Sequence, residues 1–241
     1  MRPFLHIQTL AAAAALTLAP VARAQDMPGV PSKQTPLFEP VVTMSGDSVD
    51  HLRIAQLEGR APMGRMFIRS TSSITDPRWT GKTPRPYTIV LPQVWSALNS
   101  DLPFGQNDGA MWAGKGYNWR AIGGMTAVFG PVRIVALPEV TYSTNYAISI
   151  DPTDLRFARP LPANRSPFAS PFNYVPYSVD WPYRMGDSAF AKVYPGQSSI
   201  SAAFRQFEAG ASTENEWWGP AIRNPILFSD NAPGFPHAFI R

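Results

Sequence analysis

The chain has 241 residues, no cysteine, 26 prolines, 17 glycines and a formal net charge of +4. These figures exclude disulfide stapling, thiolate metal ligands and thiol nucleophiles, and so small a charge imbalance makes no electrostatic case for nucleic acid as a partner. Proline removes a backbone donor and blocks the turn before it, so a chain this rich in it, with aromatic residues at 12%, is expected to be strand and loop rather than helix.

Met1-Arg2 supplies a positive start, Leu10 to Leu18 (LAAAAALTL) an apolar stretch, and Ala22-Arg23-Ala24 a small-x-small cleavage site. Together they predict an export signal over residues 1–24, removed before Gln25. The apolar run is much shorter than the roughly 20 residues a spanning helix needs. The mature chain is therefore expected to be soluble or to cross a membrane with strands. Residues 25–86 read as a lead-in. Gln25 to Pro40 is proline-rich and extended. Ser45 to Asp50 offers capping residues for a short helix over His51 to Glu58, with Leu52, Ala55 and Leu57 toward one side and Gly59 as its stop. That helix is expected to be periplasmic or plug-like. Arg65 to Ser70 reads as a strand and Asp76 to Pro86 as a loop.

From Tyr87 to Arg241 the pattern is that of strands. Tyr117 to Phe129 alternates Tyr117, Trp119, Met125 and Phe129 with Asn118, Arg120 and Thr126. Gly130-Pro131 turns the chain, and Val132 to Ser143 resumes with Arg133, Glu139, Thr141 and Ser143 on the polar side. After a loop-rich stretch from Asp151 to Gly196 comes a second hairpin. Ile200, Ala202 and Phe204 face one way, Arg205-Gln206 turn, and Phe207, Ala209, Ala211 and Thr213 oppose Glu208, Gly210, Ser212, Glu214 and Glu216. Strands of roughly ten residues with one apolar and one polar side, joined by alternating short turns and long loops, predict an all-β fold. Its form would be an antiparallel outer-membrane β-barrel, with lipid on the apolar side and a short helical periplasmic element. A secreted β-sandwich also alternates and is the competing architecture.

Glu214 to Phe235 (ENEWWGPAIRNPILFSDNAPGF) sets two tryptophans side by side, and adjacent strand residues point to opposite sides. Continuing the register of the second hairpin puts Trp217 with the apolar series, as an anchor in the lipid interface, and groups Glu214, Glu216 and Trp218 on the lumen side. A flat ring beside carboxylates and amides is how a protein grips a sugar. Trp218, Glu214, Glu216, Asn215, Asn224, Asp230 and Asn231 are accordingly the candidate glycan-binding residues. The plainer alternative is that Trp218 and Asn224 pack and cap the Gly219-Pro220 turn.

The run ENEWWGPAIRNPILFSDNAPGFPHAF resembles the signature of the capsule assembly protein Wzi family. Asn107-Asp108-Gly109-Ala110, Trp112 to Gly116, Gly123-Gly124 and Leu137-Pro138-Glu139 are similar to that family's amino-terminal half. The resemblance implies an outer-membrane barrel that acts as a lectin, holding group 1-type capsular polysaccharide at the cell surface without catalysis. It marks Trp217, Gly219, Pro220, Asn107, Asp108, Trp112 and Gly116 as structural motif positions, with Asn215, Trp218, Asn224, Ser229, Asn231, Pro233 and Pro236 in the same signature. Ala221 departs from an expected glycine. The barrel implied is larger than these residues supply, so the sequence is expected to be an amino-terminal portion, ahead of a small closed barrel or an assembly of several chains.

Two alternatives stand beside the lectin. Glu214 and Glu216, two apart on one strand face, are a possible acid/base pair for glycoside cleavage, and the polar lumen also suits a general porin. No cofactor, metal ligand set or catalytic residue is assigned. After signal removal only His51 and His237 remain, far apart in sequence. The expected partners are capsular or exopolysaccharide and outer-membrane lipid.

Overall fold

The computed structural model describes residues 34–44, 47–60, 67–80, 82–100, 103–147, 185–219, 221, 224–225 and 227–241. The expected export signal, Pro220 and most of the 151–196 stretch lie outside the described residues. In chain order the elements are β1 (Phe38–Glu39), α1 (Asp47–Leu57), β2 (Ile68–Arg69), α2 (Thr71–Ile74), α3 (Pro77–Thr80), β3 (Tyr87–Asn99), β4 (Gly116–Phe129), β5 (Val132–Ala136), β6 (Glu139–Ser143), β7 (Phe190–Tyr194), β8 (Ser199–Phe204), β9 (Phe207–Ser212), β10 (Trp217–Trp218) and β11 (His237–Ile240). The protein is mostly β-sheet with few helical residues. The expected loop at 76–86 contains the single turn α3. Among the described residues no helix is long and apolar enough to cross a membrane.

One antiparallel sheet runs in chain order from β3 to β11, each long strand beside the next, with β1 added in parallel along β3; β10 and β2 form a separate ribbon. No sheet is closed among the described residues. The connections are unequal at the two ends. Gly130-Pro131 and Arg205-Gln206 make two-residue turns at one end, while residues 100–115, 144–189 and 213–236 make long connections at the other.

The two faces of this sheet are inverted relative to a soluble protein. On one face, open to the surroundings, stand Ile89, Val94, Leu98, Tyr117, Met125, Phe129, Val193, Ile200, Phe204, Phe207 and Ile240; Leu98, Val193, Phe204 and Ile240 are each at least 70% exposed. On the opposite, covered face lie Thr88, Asn118, Arg120, Glu139, Thr141, Ser143, Ser201, Glu208 and Ser212, all buried. The period of two that sorts these residues is the one visible in the sequence.

The lead-in covers the polar face. Val41 joins Val90, Ile122, Val135 and Leu137 in one apolar cluster, and Met44, Val49 and Ile74 form a second around Trp217. Helix α1 buries Val49 and Gln56 with Leu52 between them, whereas Leu57 is exposed, so the contact stripe lies about one turn earlier than expected. Gly59 ends the helix as predicted. At φ +73° its N–H donates to the Gln56 carbonyl and that of Arg60 to the Ala55 carbonyl, the paired bonds of a left-handed helix cap. Helix α2 is held by polar bonds: the Arg133 guanidinium donates to the carbonyls of Ser72 at 2.7 Å and Thr75 at 3.2 Å, and to the Thr75 hydroxyl at 2.9 Å.

The expected continuous strand from Val132 to Ser143 is two strands, because the ladder breaks at Leu137-Pro138, where Pro138 has no donor. Neighbouring strands break at the same level. β3 shifts register between Val90 and Gln93, opposite Gly123, and residues 195–198 separate β7 from β8. Side chains and loop backbone close the gap: the Leu137 N–H donates to the Ser198 hydroxyl, and the Gln197 N–H to the Leu137 carbonyl.

Arg133→Met would leave the acceptors on α2 without their donor. We expect a loss of about 1–3 kcal/mol in chemical denaturation and faster proteolysis within residues 70–80.

Candidate functional site

The first and third long connections clasp each other at the same end of the sheet. The Gly109 N–H donates to the Asp230 carbonyl at 2.6 Å, the Asn107 N–H to the Asn231 side-chain oxygen, and the Gln106 amide to the Asn224 side-chain oxygen at 2.9 Å. The two motif stretches around Asn107 and Asn231 are thus spatial neighbours. Gly109 sits at φ +61°, and a Cβ there would fall 1.9 Å from Arg120 Nη1, so only glycine fits. Beneath it the Arg120 guanidinium reaches Glu139 at 3.2 Å and lies 4.4 Å over the Trp95 ring. Asp108 accepts the Gln106 N–H at 2.9 Å; burial pushes its carboxyl above the usual range, against the pull of that bond and of Arg120. Trp112 is buried. Gly116 opens β4 at φ +100°, where the Asn118 amide bonds its carbonyl.

The third connection turns inward rather than extending β9. The strand ends at Ser212, at the level of the ladder break, and Thr213 donates to the Ser198 carbonyl at 2.8 Å. This overturns the register carried through to Trp218. Trp217 is no lipid-interface anchor: it is 0% exposed, packed among Met44, Val49 and Ile74, with its indole N–H on the Ala221 carbonyl at 2.8 Å. Arg69 opposes it across the β2–β10 ribbon, 5.8 Å over the ring, and also donates to the Ala221 carbonyl. Burial, helped by the nearby Arg53 charge, lowers the pKa of Arg69 to about 10. Gly219, at φ +107°, donates to the Phe67 carbonyl.

Burial also divides the candidate glycan residues. Glu214 is 1% exposed and accepts from the Ser72 N–H, the Ser72 hydroxyl at 2.6 Å and the Ser212 hydroxyl at 2.9 Å. Burial raises its carboxyl pKa, against those bonds and the Arg241 charge. Asn215 exchanges two bonds with Gln197 and donates to the Ser229 and Ala232 carbonyls. Asp230 is buried at the clasp. Glu214, Asn215 and Asp230 therefore hold the connection together. Asn224 and Asn231 are exposed.

Glu216 and Trp218 do come together, without Glu214. One Glu216 oxygen accepts the Trp218 indole N–H at 2.8 Å, and the other stands 3.4 Å from His237 Nε2. They line an open cleft of about 420 Å³ with Phe67, Ile68, Ser70, Ser73, Phe239 and Arg241. His237 and Phe239 belong to β11, with Arg241 just past its end, a strand not anticipated from the sequence; the i, i+2, i+4 spacing of Phe235, His237 and Phe239 was the available signal. Among the described residues no group of three or more His, Asp or Glu is placed to hold a metal ion.

Comparison with known proteins returned no match to a family model, a curated protein or a solved structure.

A buried acid with a raised pKa makes the fold bind a proton more tightly than the unfolded chain, so its contribution is full at low pH and is lost as pH rises through the raised value. Relative to Glu214→Gln, the wild-type Tm should therefore fall as pH rises above the ordinary carboxylate value of 4.5. Parallel Tm curves across that range would contradict the account.

Proposed function

We propose that this protein is a non-catalytic outer-membrane β-barrel protein, of the kind the Wzi resemblance implies, which binds surface polysaccharide and helps to keep capsule on the cell. The observation that carries this reading is the inverted sheet. An apolar face exposed along β3, β4, β7, β8, β9 and β11 and half-buried along β5 and β6, opposite a largely polar face filled by the chain's own lead-in, suits hydrocarbon outside and a hydrated or plugged interior. Short turns at one end and long connections at the other match the usual asymmetry of such barrels. The lectin part rests on ring, carboxylate and amide groups of the third long connection: Trp218 and Glu216 in the cleft, and the exposed Asn224 and Asn231 at the clasp. The hydrolase alternative loses its geometry, because Glu214 is enclosed while Glu216 faces the cleft.

The protein should fractionate with the outer membrane and migrate differently on gels before and after boiling. Ile200→Arg, placing a guanidinium on the exposed apolar face, should reduce assembled protein, since such a charge costs about 2–4 kcal/mol at the bilayer midplane. Recovery of the wild type as a soluble periplasmic protein would overturn the membrane reading. Deleting the gene should leave total polysaccharide unchanged while moving most of it from cell surface to medium; unchanged attachment would remove the lectin role and leave the architecture.

A further inference from the structure

We propose that the rings of Trp218, Phe228, Phe235, His237 and Phe239 form one track along which an extended glycan chain lies, with Glu216 as the group that positions its first ring. The inference rests on the polysaccharide reading above and adds how the chain is held.

Successive ring centroids are 5.0, 5.6, 4.9 and 6.4 Å apart, from Trp218 through Phe228, Phe235 and His237 to Phe239. The last three sit at alternate positions leading into and along β11, so strand geometry sets them in line. Trp218 is tied to Phe228 by a backbone bond from its N–H to the Phe228 carbonyl at 3.2 Å. The row therefore leads from the long connection into the cleft beside α2.

Polar groups accompany the rings. Glu216 fixes the Trp218 indole through one oxygen and faces His237 with the other, while His237 Nδ1 lies 2.8 Å from the Phe235 carbonyl. A carboxylate oxygen has acceptor capacity beyond one bond, which leaves Glu216 able to take sugar hydroxyls lying over the Trp218 face. Ser70 and Ser73 stand on the cleft walls, and the Arg241 guanidinium lies over one face of the Phe239 ring, 4.3 Å from its centroid, and closes the row. Ring faces that pack against carbon-hydrogen surfaces, interleaved with hydroxyl and carboxylate groups, fit pyranose units better than a peptide or an acyl chain. Neighbouring rings stand about one sugar unit apart. A single sugar covers one ring; a chain covers several.

The test uses the full protein in detergent micelles and the producing strain's surface polysaccharide, cut to single-repeat and longer fragments, with binding followed by calorimetry. Affinity should rise with fragment length. Phe235→Ala and Phe239→Ala should each weaken the long fragments by roughly three- to tenfold and leave the single repeat unchanged. Trp218→Ala should weaken every length. Glu216→Ala should behave like Trp218→Ala, whereas Glu216→Gln, which keeps an acceptor for the indole, should retain most of the affinity. Gel migration before and after boiling separates variants that fold from those that do not. Binding that ignores fragment length and both phenylalanine substitutions would overturn the track while leaving the polysaccharide reading intact. Absence of binding at every length would remove both.

Discussion

A sheet that turns its apolar side outward must satisfy its polar side within, and most other features of this protein follow from that constraint. Two inward arginines are paired with glutamates: Arg120 meets Glu139, and Arg241 makes two bonds to Glu208. Such pairs add little over a well-packed apolar core, but losing one partner leaves a buried charge at a cost of about 3–5 kcal/mol. The interior is therefore specified by complementary polar groups as well as by its two apolar clusters. This also explains why the lead-in carries so many hydroxyls. Ser70, Thr71, Ser72 and Ser73 are all buried, and an apolar side chain in place of Ser72 would take one hydroxyl donor from the buried carboxyl of Glu214.

The long connection after β9 serves two purposes in sequence. Its first residues descend into the interior, where Glu214, Asn215 and Trp217 lock sheet, lead-in and neighbouring loop together. Its later residues return to the surface through Phe228 and Phe235 and re-enter the sheet as β11. Residues close together in sequence thus differ sharply in availability. Glu214 and Glu216 are two apart, yet one is sealed against Ser72 and the other faces an open cleft.

The sequence was most legible where one local rule operated without interruption. β4, β8 and β9, with the turns at Gly130-Pro131 and Arg205-Gln206, follow from alternation and turn chemistry alone, and Gly59 from the cap it permits. The inward turn after Ser212 was not legible. Alternation predicts side-chain direction only while a strand continues, and nothing local announces that Gln197 and Ser198, between β7 and β8, will receive the chain there. The pairing of Asn107 with Asn231 spans 124 residues and leaves no periodic trace. Trp217 shows the same limit. The register continued from β9 marked it as an anchor, but whether lipid or Met44, Val49 and Ile74 would surround it depended on a fold-back outside its own neighbourhood. The covered face was legible in its residue types but not in its occupant.

The ladder break that crosses four adjacent strands has a mechanical consequence. Pro92, Gly123, Pro138 and Pro195 lie at or beside one level, where regular strand-to-strand bonds give way to bridges through Ser198 and Gln197. Elastic compliance concentrates at such a line, because bending there stretches few backbone bonds. β3 and β4 run unbroken across this level and tie the half that carries the short turns to the half that carries the clasped connections. A load on the clasp would therefore pass to the short turns chiefly along β3 and β4.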